Sequence, residues 1–149
     1  MGCTLVLACV RGDTLHICHV GDVRAYLWRE GRFNALTRDH SVVAEMVAAR
    51  ELTPDEARGH PAKNEVLRAI GMPAGFEPDS NRCALQSGDR VLLCSDGLWE
   101  MLPDREIARV VGADGSMRQL ATQLVDRAND AGGHDNISVV LYEHRAPIT

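Results

Sequence analysis

Short apolar runs alternate with glycine-containing turns over the first part of the chain. The turns Arg11-Gly12-Asp13 and Arg29-Glu30-Gly31 each separate two runs of mainly apolar residues. Runs joined in this way are typical of β-hairpins, so the pattern predicts antiparallel strands at residues 4–10, 14–20, 23–28 and 32–36. The first run carries apolar residues on both faces, which predicts a strand that is covered on both sides.

The hydrophobic period becomes helical after Asp39-His40-Ser41. Val42, Val43, Met46 and Val47 follow helical spacing, and Thr53-Pro54-Asp55-Glu56 has the form of a helix capping box. The same reasoning predicts two later helices, at residues 104–111 and 117–129.

The remaining runs complete the predicted architecture. They indicate strands at residues 82–85, 90–94 and 137–142. Residues of about 50–75 are rich in glycine, proline and charge, and we interpret them as a flap outside the core. Strands, then a helix and flap, then strands, helices and a last strand predict a single domain, 1–149, of the α+β class with helices packed on mostly antiparallel sheet.

Composition narrows the choice of function. The chain has 149 residues, with 16 basic and 21 acidic side chains and a net charge of -5, which argues against a nucleic-acid partner. No apolar run is long enough to suggest a membrane span, and the apolar start is interpreted as a strand and not as a signal peptide. The five cysteines have no C-x-x-C spacing and are expected to be buried thiols in a reducing cytoplasm.

Three aspartates in tight turns carry the candidate chemistry. Asp22, Asp96 and Asp135 each lie beside the end or the start of a strand-like run. Strand ends can converge, and converging carboxylates repel one another unless a cation lies between them. Carboxylate oxygens suit Mg²⁺ or Mn²⁺, so a metal site is predicted. Gly97 would allow a close chain reversal, whereas the remaining turn aspartates (Asp13, Asp79 and Asp89) are interpreted as ordinary turn residues.

Six motifs together resemble the PP2C (PPM) family of metal-dependent protein serine/threonine phosphatases, in its bacterial form. Their order is that of the family, and they extend over nearly the whole chain. The motifs are Met1-Gly2-Cys3-Thr4, Gly21-Asp22-Val23-Arg24-Ala25-Tyr26, Leu36-Thr37-Arg38-Asp39-His40-Ser41, Asn64 with Arg68-Ala69 and Gly71, Ser95-Asp96-Gly97-Leu98-Trp99, and Gly133-His134-Asp135-Asn136-Ile137-Ser138.

The resemblance implies a fold, cofactors and residue roles. It implies a β-sandwich of antiparallel sheets flanked by helices, and hydrolysis of phosphoserine or phosphothreonine by a metal-activated water. Asp96 and Asp135 would hold a first Mn²⁺ or Mg²⁺, and Asp22 with Asp96 a third metal. Asn64 and Arg68 would belong to the flap beside the substrate groove. Asn136 and His40 are interpreted as residues that orient the site.

The resemblance begins downstream of several family residues. An Asp-Gly pair that bridges two metals and a phosphate-binding arginine have no counterpart here, so this chain alone is expected to be inactive or nearly so. Three alternatives stay open: an N-terminally truncated phosphatase, a non-catalytic phosphatase-like binding module, or a site completed by another chain. The partner would be a phosphoprotein substrate of a serine/threonine kinase, and an exposed sheet face would favour self-association.

Overall fold

The computed structural model describes residues 2–73 and 76–146, so the last two residues of the predicted flap and Met1 of the first motif lie outside it. The seven strands are β1 Leu5–Arg11, β2 Thr14–Val20, β3 Arg24–Arg29, β4 Arg32–Ala35, β5 Asp79–Ala84, β6 Arg90–Cys94 and β7 Val139–Glu143. The five helices are α1 Val42–Ala48, α2 Pro54–Gly59, α3 Asp96–Trp99, α4 Asp104–Val111 and α5 Met117–Asp130.

Two antiparallel sheets form the centre of the molecule. One has the strand order β1-β2-β5 and the other the order β4-β3-β6-β7. Helix α5 packs on β7, and α4 packs on α5, so helices cover the outer face of the four-stranded sheet. The α+β class with antiparallel sheets is confirmed.

Local signals set the helix boundaries. Both partners of a capping box are present at Thr53 before α2 and at Ser116 before α5. Each cap satisfies backbone N–H groups that the first turn of a helix leaves without partners. The predicted helix 104–111 is confirmed, and the one predicted at 117–129 extends to Asp130.

The four-stranded sheet separates two hydrophobic clusters. On its helix-covered face, Leu92 and Leu98 pack with residues of α4 and α5, among them Ile107, Leu120 and Leu124, and all five are fully buried. The second cluster lies between the two sheets and contains Leu15, Ile17, Ala25, Leu27, Leu85 and Val91. Burial of these side chains is the main stabilising contribution to the layered fold.

Strand β1 corrects a prediction. It is an edge strand, and most of its side chains are exposed, including Leu7 at 56%. The prediction failed because apolar residues on both faces of a strand do not reveal what lies against them. For the same reason, Cys3 and Cys9 are exposed, Cys18 and Cys83 are half-buried, and only Cys94 of the five is a buried thiol.

Two of the turn aspartates have specific structural partners. Asp13 contacts buried His144, with 2.9 Å between Oδ1 and Nε2. Asp89 is 1% exposed and accepts hydrogen bonds from Arg29 Nε (2.8 Å), Arg29 Nη2 (2.5 Å) and the Gln86 N–H (2.7 Å). Asp13 lies in a turn and Asp89 directly follows one, as predicted. The sequence did not indicate their partners, because His144 is distant in sequence from Asp13 and Arg29 is distant from Asp89.

Candidate metal centre

Strand pairing brings the loops of the three candidate aspartates to one end of the four-stranded sheet. Arg24 of β3 pairs with Cys94 of β6, which pairs in turn with Val139 of β7. Asp22 precedes β3, Asp96 follows β6, and Asp135 precedes β7. The register therefore places the three loops next to one another.

The charges of these aspartates are coupled. Burial, and then the neighbouring Asp96 carboxylate, raise the pKa of Asp22 to about 6. Burial and the Asp135 carboxylate raise the pKa of Asp96 above its usual range, although the Gly97 N–H opposes this by donating a hydrogen bond to Asp96 Oδ1 at 2.9 Å. Neighbouring carboxylates that are partly removed from water disfavour each other's ionised form, and a cation relieves that repulsion.

Ser95 ties the Asp96 loop to the Asp135 loop. Its N–H donates to the Ser138 carbonyl (3.1 Å), and its hydroxyl oxygen accepts from the Ser138 N–H (3.0 Å). The same hydroxyl donates to the Asn136 carbonyl at 3.3 Å. The Asn136 side chain is exposed, whereas the backbone N–H of Asn136 donates to Asp135 Oδ1 at 2.6 Å. Asn136 therefore orients the neighbouring carboxylate through its backbone N–H.

Gly97 lies where these two loops meet. A Cβ at this position would come within 2.3 Å of the Asn136 carbonyl oxygen and 3.3 Å of Ile137 Cγ1. The close approach therefore excludes any side chain and keeps the Asp96 and Asp135 loops together.

Gly97→Ala is expected to destabilise the fold by about 1–3 kcal/mol, because the methyl group forces buried backbone apart. It should also weaken Mn²⁺ binding, since the two carboxylates move away from each other. Thermal unfolding and calorimetric Mn²⁺ titration measure the two effects. Gly59→Ala is the matched control, because no atom lies within 4 Å of the added Cβ. Equal stability and affinity in both variants would contradict the prediction.

The Asp22 turn is held by two side chains from other elements. Trp99 Nε1 donates to the Asp22 carbonyl at 3.0 Å. The ring of buried His40 accepts a hydrogen bond from the Gly21 N–H at Nδ1 (3.1 Å), and the backbone N–H of His40 donates to the Gly21 carbonyl (2.9 Å). Arg24 stacks 3.6 Å over the Trp99 ring and binds Asp39 with Nε and Nη2. The turn is therefore positioned by interactions with residues far along the chain.

The two predicted flap residues have different surroundings. Arg68 Nη1 contacts Asp79 Oδ1 at 3.1 Å and the Glu77 carbonyl at 3.4 Å. Asn64 is exposed in a turn after α2. The flap is joined to the loop before α1, because the Leu67 N–H donates to the His40 carbonyl and the Val42 N–H donates to the Glu65 carbonyl.

Asp79 corrects a prediction, because it is the first residue of β5 and not a turn residue, and its neighbours come from three separate segments. His19, His40 and Asp79 form the only group of three metal-binding side chains in residues 2–73 and 76–146 whose ligand atoms all lie within 4.8 Å of one another. The two histidine rings stack, with centroids 4.6 Å apart. No local pattern around Asp79 could have revealed these contacts, because they depend on the β2–β5 pairing.

The carboxylate oxygens of Asp22, Asp96 and Asp135 therefore do not all lie within 4.8 Å of one another. This spread does not suit one ion held by all three carboxylates. It suits separate pairs, Asp22 with Asp96 and Asp96 with Asp135, which are the pairs whose charges interact. Hard oxygen donors of this kind fit Mn²⁺ or Mg²⁺.

Known proteins share this arrangement of strands and motifs. The chain is 43% identical over 142 residues to the protein phosphatase PhpP of Streptococcus pneumoniae, covering 95% of this chain and 57% of the relative. The structure of the S. agalactiae serine/threonine phosphatase superposes with a TM-score of 0.91 at 38% identity, covering 97% of this chain and 60% of that one. The chain thus spans a little over half the length of these relatives.

A third relative has been solved with metal. The catalytic domain of the serine threonine protein phosphatase PstP, in complex with two manganese ions, superposes with a TM-score of 0.84 at 32% identity, covering 95% of this chain and 58% of that one. The family model for protein phosphatase 2C matches residues 1–141. Because that match takes in all three aspartate loops and both sheets, the chain belongs to the protein phosphatase 2C family.

Proposed function

We propose that the protein to which this chain belongs is a metal-dependent protein serine/threonine phosphatase, which hydrolyses phosphoserine and phosphothreonine to the alcohol and inorganic phosphate. The observation that carries the proposal is the strand register, which places the loops of Asp22, Asp96 and Asp135 next to one another at one end of the four-stranded sheet. A protein of this family with these carboxylates together has the donors that phosphoryl-transfer metals require.

Each aspartate has a proposed role at the site. Asp96 and Asp135 would hold one Mn²⁺ or Mg²⁺, and Asp22 with Asp96 another. When bound, such ions activate a water and neutralise charge on the phosphoryl group. Gly97 keeps the two loops close, and Ser95 fixes their relative position. Asn136 would orient Asp135, and His40 would orient the Asp22 turn, through the hydrogen bonds described above.

The substrate would be a phosphoprotein, the product of a serine/threonine kinase. The flap with Asn64 and Arg68 would lie beside it, although Arg68 is engaged with Asp79 in this structure. No helix among residues 2–73 and 76–146 has the length and apolar character needed to cross a bilayer. The cytoplasmic location that the cysteines suggested stays a prediction.

Mn²⁺-dependent hydrolysis of p-nitrophenyl phosphate and of a phosphothreonine peptide tests the proposal. These 149 residues supply three carboxylates to the site, so we expect tight Mn²⁺ binding to need further ligands and turnover by the chain alone to be weak. Metal-dependent release of phosphate from the peptide supports the function. Mn²⁺ binding without any hydrolysis, by this chain or by any longer form that contains it, would instead favour a non-catalytic phosphatase-like module.

Two sheet edges suggest a second property, which is self-association. Leu7 on edge strand β1 is 56% exposed, and Val140 on edge strand β7 is 60% exposed. An apolar groove between the two sheets, lined by Leu5, Val6, Val23, Leu93 and Val140, opens between these edges. Exposed apolar side chains on edge strands favour pairing with other chains.

The purified chain is therefore expected to form dimers or larger species as its concentration rises. Light scattering across a dilution series measures this. Leu7→Lys should shift the distribution toward monomer, because a charge on β1 opposes edge pairing. Gln123→Lys on the exposed side of α5 adds the same charge elsewhere and should have no effect. A monomer at every concentration would disprove the prediction.

A further inference from the structure

One buried residue, His40, connects the Asp22 turn with the flap through its backbone and its ring. Its backbone N–H and its Nδ1 bind both the carbonyl and the N–H of Gly21, at 2.9 and 3.1 Å. Its carbonyl accepts the N–H of Leu67 at 2.8 Å. The ring is 5% exposed, so these contacts are shielded from water. The ring is therefore hydrogen-bonded directly to the residue that precedes Asp22.

The hydrogen bonds of the ring fix the position of its proton. Because Nδ1 accepts from the Gly21 N–H, the neutral ring must carry its proton on Nε2. Nε2 lies 3.1 Å from Asp79 Oδ2, in a bent contact that falls short of a well-formed hydrogen bond. It has no other hydrogen-bond partner among residues 2–73 and 76–146. Asp79 is therefore the group that faces and stabilises this proton.

One face of the His40 ring is covered by a second histidine. His19 stacks on it with an interplanar angle of 23°, and His19 Nε2 lies 2.8 Å from the Arg38 carbonyl. A carbonyl only accepts, so His19 carries its proton on Nε2. The stack leaves His40 little freedom to rotate away from Asp79.

A metal ion at His19, His40 and Asp79 is the competing explanation of this cluster. Ligation through His40 Nε2 would require the ring proton on Nδ1, where it would oppose the Gly21 N–H. Ligation would thus break the bond that holds the turn. With the proton on Nε2, the ring keeps the hydrogen bond from the Gly21 N–H to Nδ1 and directs its own proton toward Asp79 Oδ2, and the geometry favours this arrangement.

We propose that Asp79 is a positioning residue, which holds His40 in the Nε2-protonated tautomer and thereby fixes the Gly21–Asp22 turn. Its second oxygen contacts Arg68 at 3.1 Å, so the same carboxylate connects the turn to the flap. A carboxylate that selects a histidine tautomer in this way is a common means of orienting a functional group. The link to catalysis rests on the proposed phosphatase function, whereas the link to the turn does not.

Three variants test this role: Asp79→Ala, Asp79→Asn and Asp13→Ala. Asp13→Ala is the matched control, because Asp13 is also an exposed aspartate that faces the Nε2 of a buried histidine, His144. Nitrogen-15 NMR of the histidine rings reports the tautomer, and amide hydrogen exchange reports the Gly21 N–H. Asp79 is 53% exposed, so Asp79→Ala is expected to fold.

We expect Asp79→Ala to populate the Nδ1-protonated ring of His40 and to speed exchange of the Gly21 amide by about fivefold, as befits the loss of one hydrogen bond. Asp79→Asn, which keeps an oxygen acceptor, should restore most of the protection. Asp13→Ala should match the unaltered chain at both probes. Unchanged tautomer and exchange in Asp79→Ala would overturn the proposal, as would Zn²⁺ binding to His40 Nε2 with the proton on Nδ1.

The same variants separate this role from the enzymatic one. If the protein hydrolyses no phosphoester but Asp79→Ala still changes the tautomer, the proposed function fails and the positioning role stands. If hydrolysis is robust, Asp79→Ala should raise the Mn²⁺ concentration needed for half-maximal rate, and Asp13→Ala should not. If Asp79→Ala changes neither the Mn²⁺ requirement nor the His40 tautomer, the proposed role of Asp79 is wrong, whereas the proposed phosphatase function is unaffected.

Discussion

Asp96→Asn is expected to weaken Mn²⁺ binding about 100-fold or more and to reduce Mn²⁺-dependent phosphoester hydrolysis to background. Asp96 is the one carboxylate that is coupled to both of the others. Asparagine has nearly the same shape but carries no charge, so both ligand pairs lose an anionic oxygen at once. Calorimetric Mn²⁺ titration and p-nitrophenyl phosphate hydrolysis measure the two effects.

The same variant should behave differently without metal. Because the pKa of Asp96 is raised in the folded chain, the protonated side chain stabilises the fold relative to the ionised one. This contribution to stability is complete at low pH and is lost as pH rises through the folded-state pKa. At neutral pH, the metal-free variant should therefore unfold at the same temperature as the unaltered chain or higher. Asp126→Asn on exposed α5 is the control for charge. Unaltered Mn²⁺ affinity in Asp96→Asn would exclude Asp96 as a ligand.

Asp89→Ala is expected to lower the free energy of unfolding by about 2–3 kcal/mol, since Arg29 is partly exposed and keeps its hydrogen bond to the Ala84 carbonyl. Asp89 is 1% exposed, and its removal leaves Arg29 and the Gln86 N–H without the acceptor that they share. Breaking a paired and buried charge costs more than most substitutions, because the partner stays partly desolvated. Urea unfolding measures the loss, and Asp114→Ala at an exposed position should change stability by less than about 0.5 kcal/mol.

The effect of Asp89 should depend on pH in a defined direction. Burial raises the pKa of Asp89, but hydrogen bonds from Arg29 and the Gln86 N–H outweigh burial and hold the pKa below its usual range. A lowered pKa contributes stability that is complete above the ordinary value of about 4 and is lost as pH falls through the folded-state value. The difference between Asp89→Ala and the unaltered chain should therefore be constant near neutral pH and shrink below about pH 4. A difference that grows in acid would contradict the proposed pairing.

Elements whose signals are local could be predicted from the sequence. The capping boxes at Thr53 and Ser116 place the starts of α2 and α5, and the apolar stripe of α5 identifies the face that packs on the sheet. The family motifs likewise predict that the loops of Asp22, Asp96 and Asp135 carry the metal ligands. These features depend on residues within a few positions of one another, which a sequence displays directly.

Features that depend on distant partners could not be predicted. The support of the Asp22 turn by Trp99 and His40, and the burial of Asp89 against Arg29, join segments that come together only after the strands pair. The short helix α3 directly after β6 was predicted only as a tight turn, because one helical turn leaves no periodic pattern. The exposure of β1 could not be predicted either, because an apolar run does not indicate whether its strand lies at the edge or in the interior of a sheet.

The Asp22 turn has a further consequence because of the strands that it joins. It connects β2 of the three-stranded sheet to β3 of the four-stranded sheet, whereas Asp96 and Asp135 both adjoin strands of the four-stranded sheet. A cation shared by Asp22 and Asp96 would therefore bridge the two layers of the sandwich. By thermodynamic linkage, such a cation at 100 times its dissociation constant adds about 2.7 kcal/mol to stability. The metal ion would then stabilise the packing of the two sheets in addition to its part in hydrolysis. Removal of the metal would therefore destabilise the sandwich at the end that carries the candidate metal site.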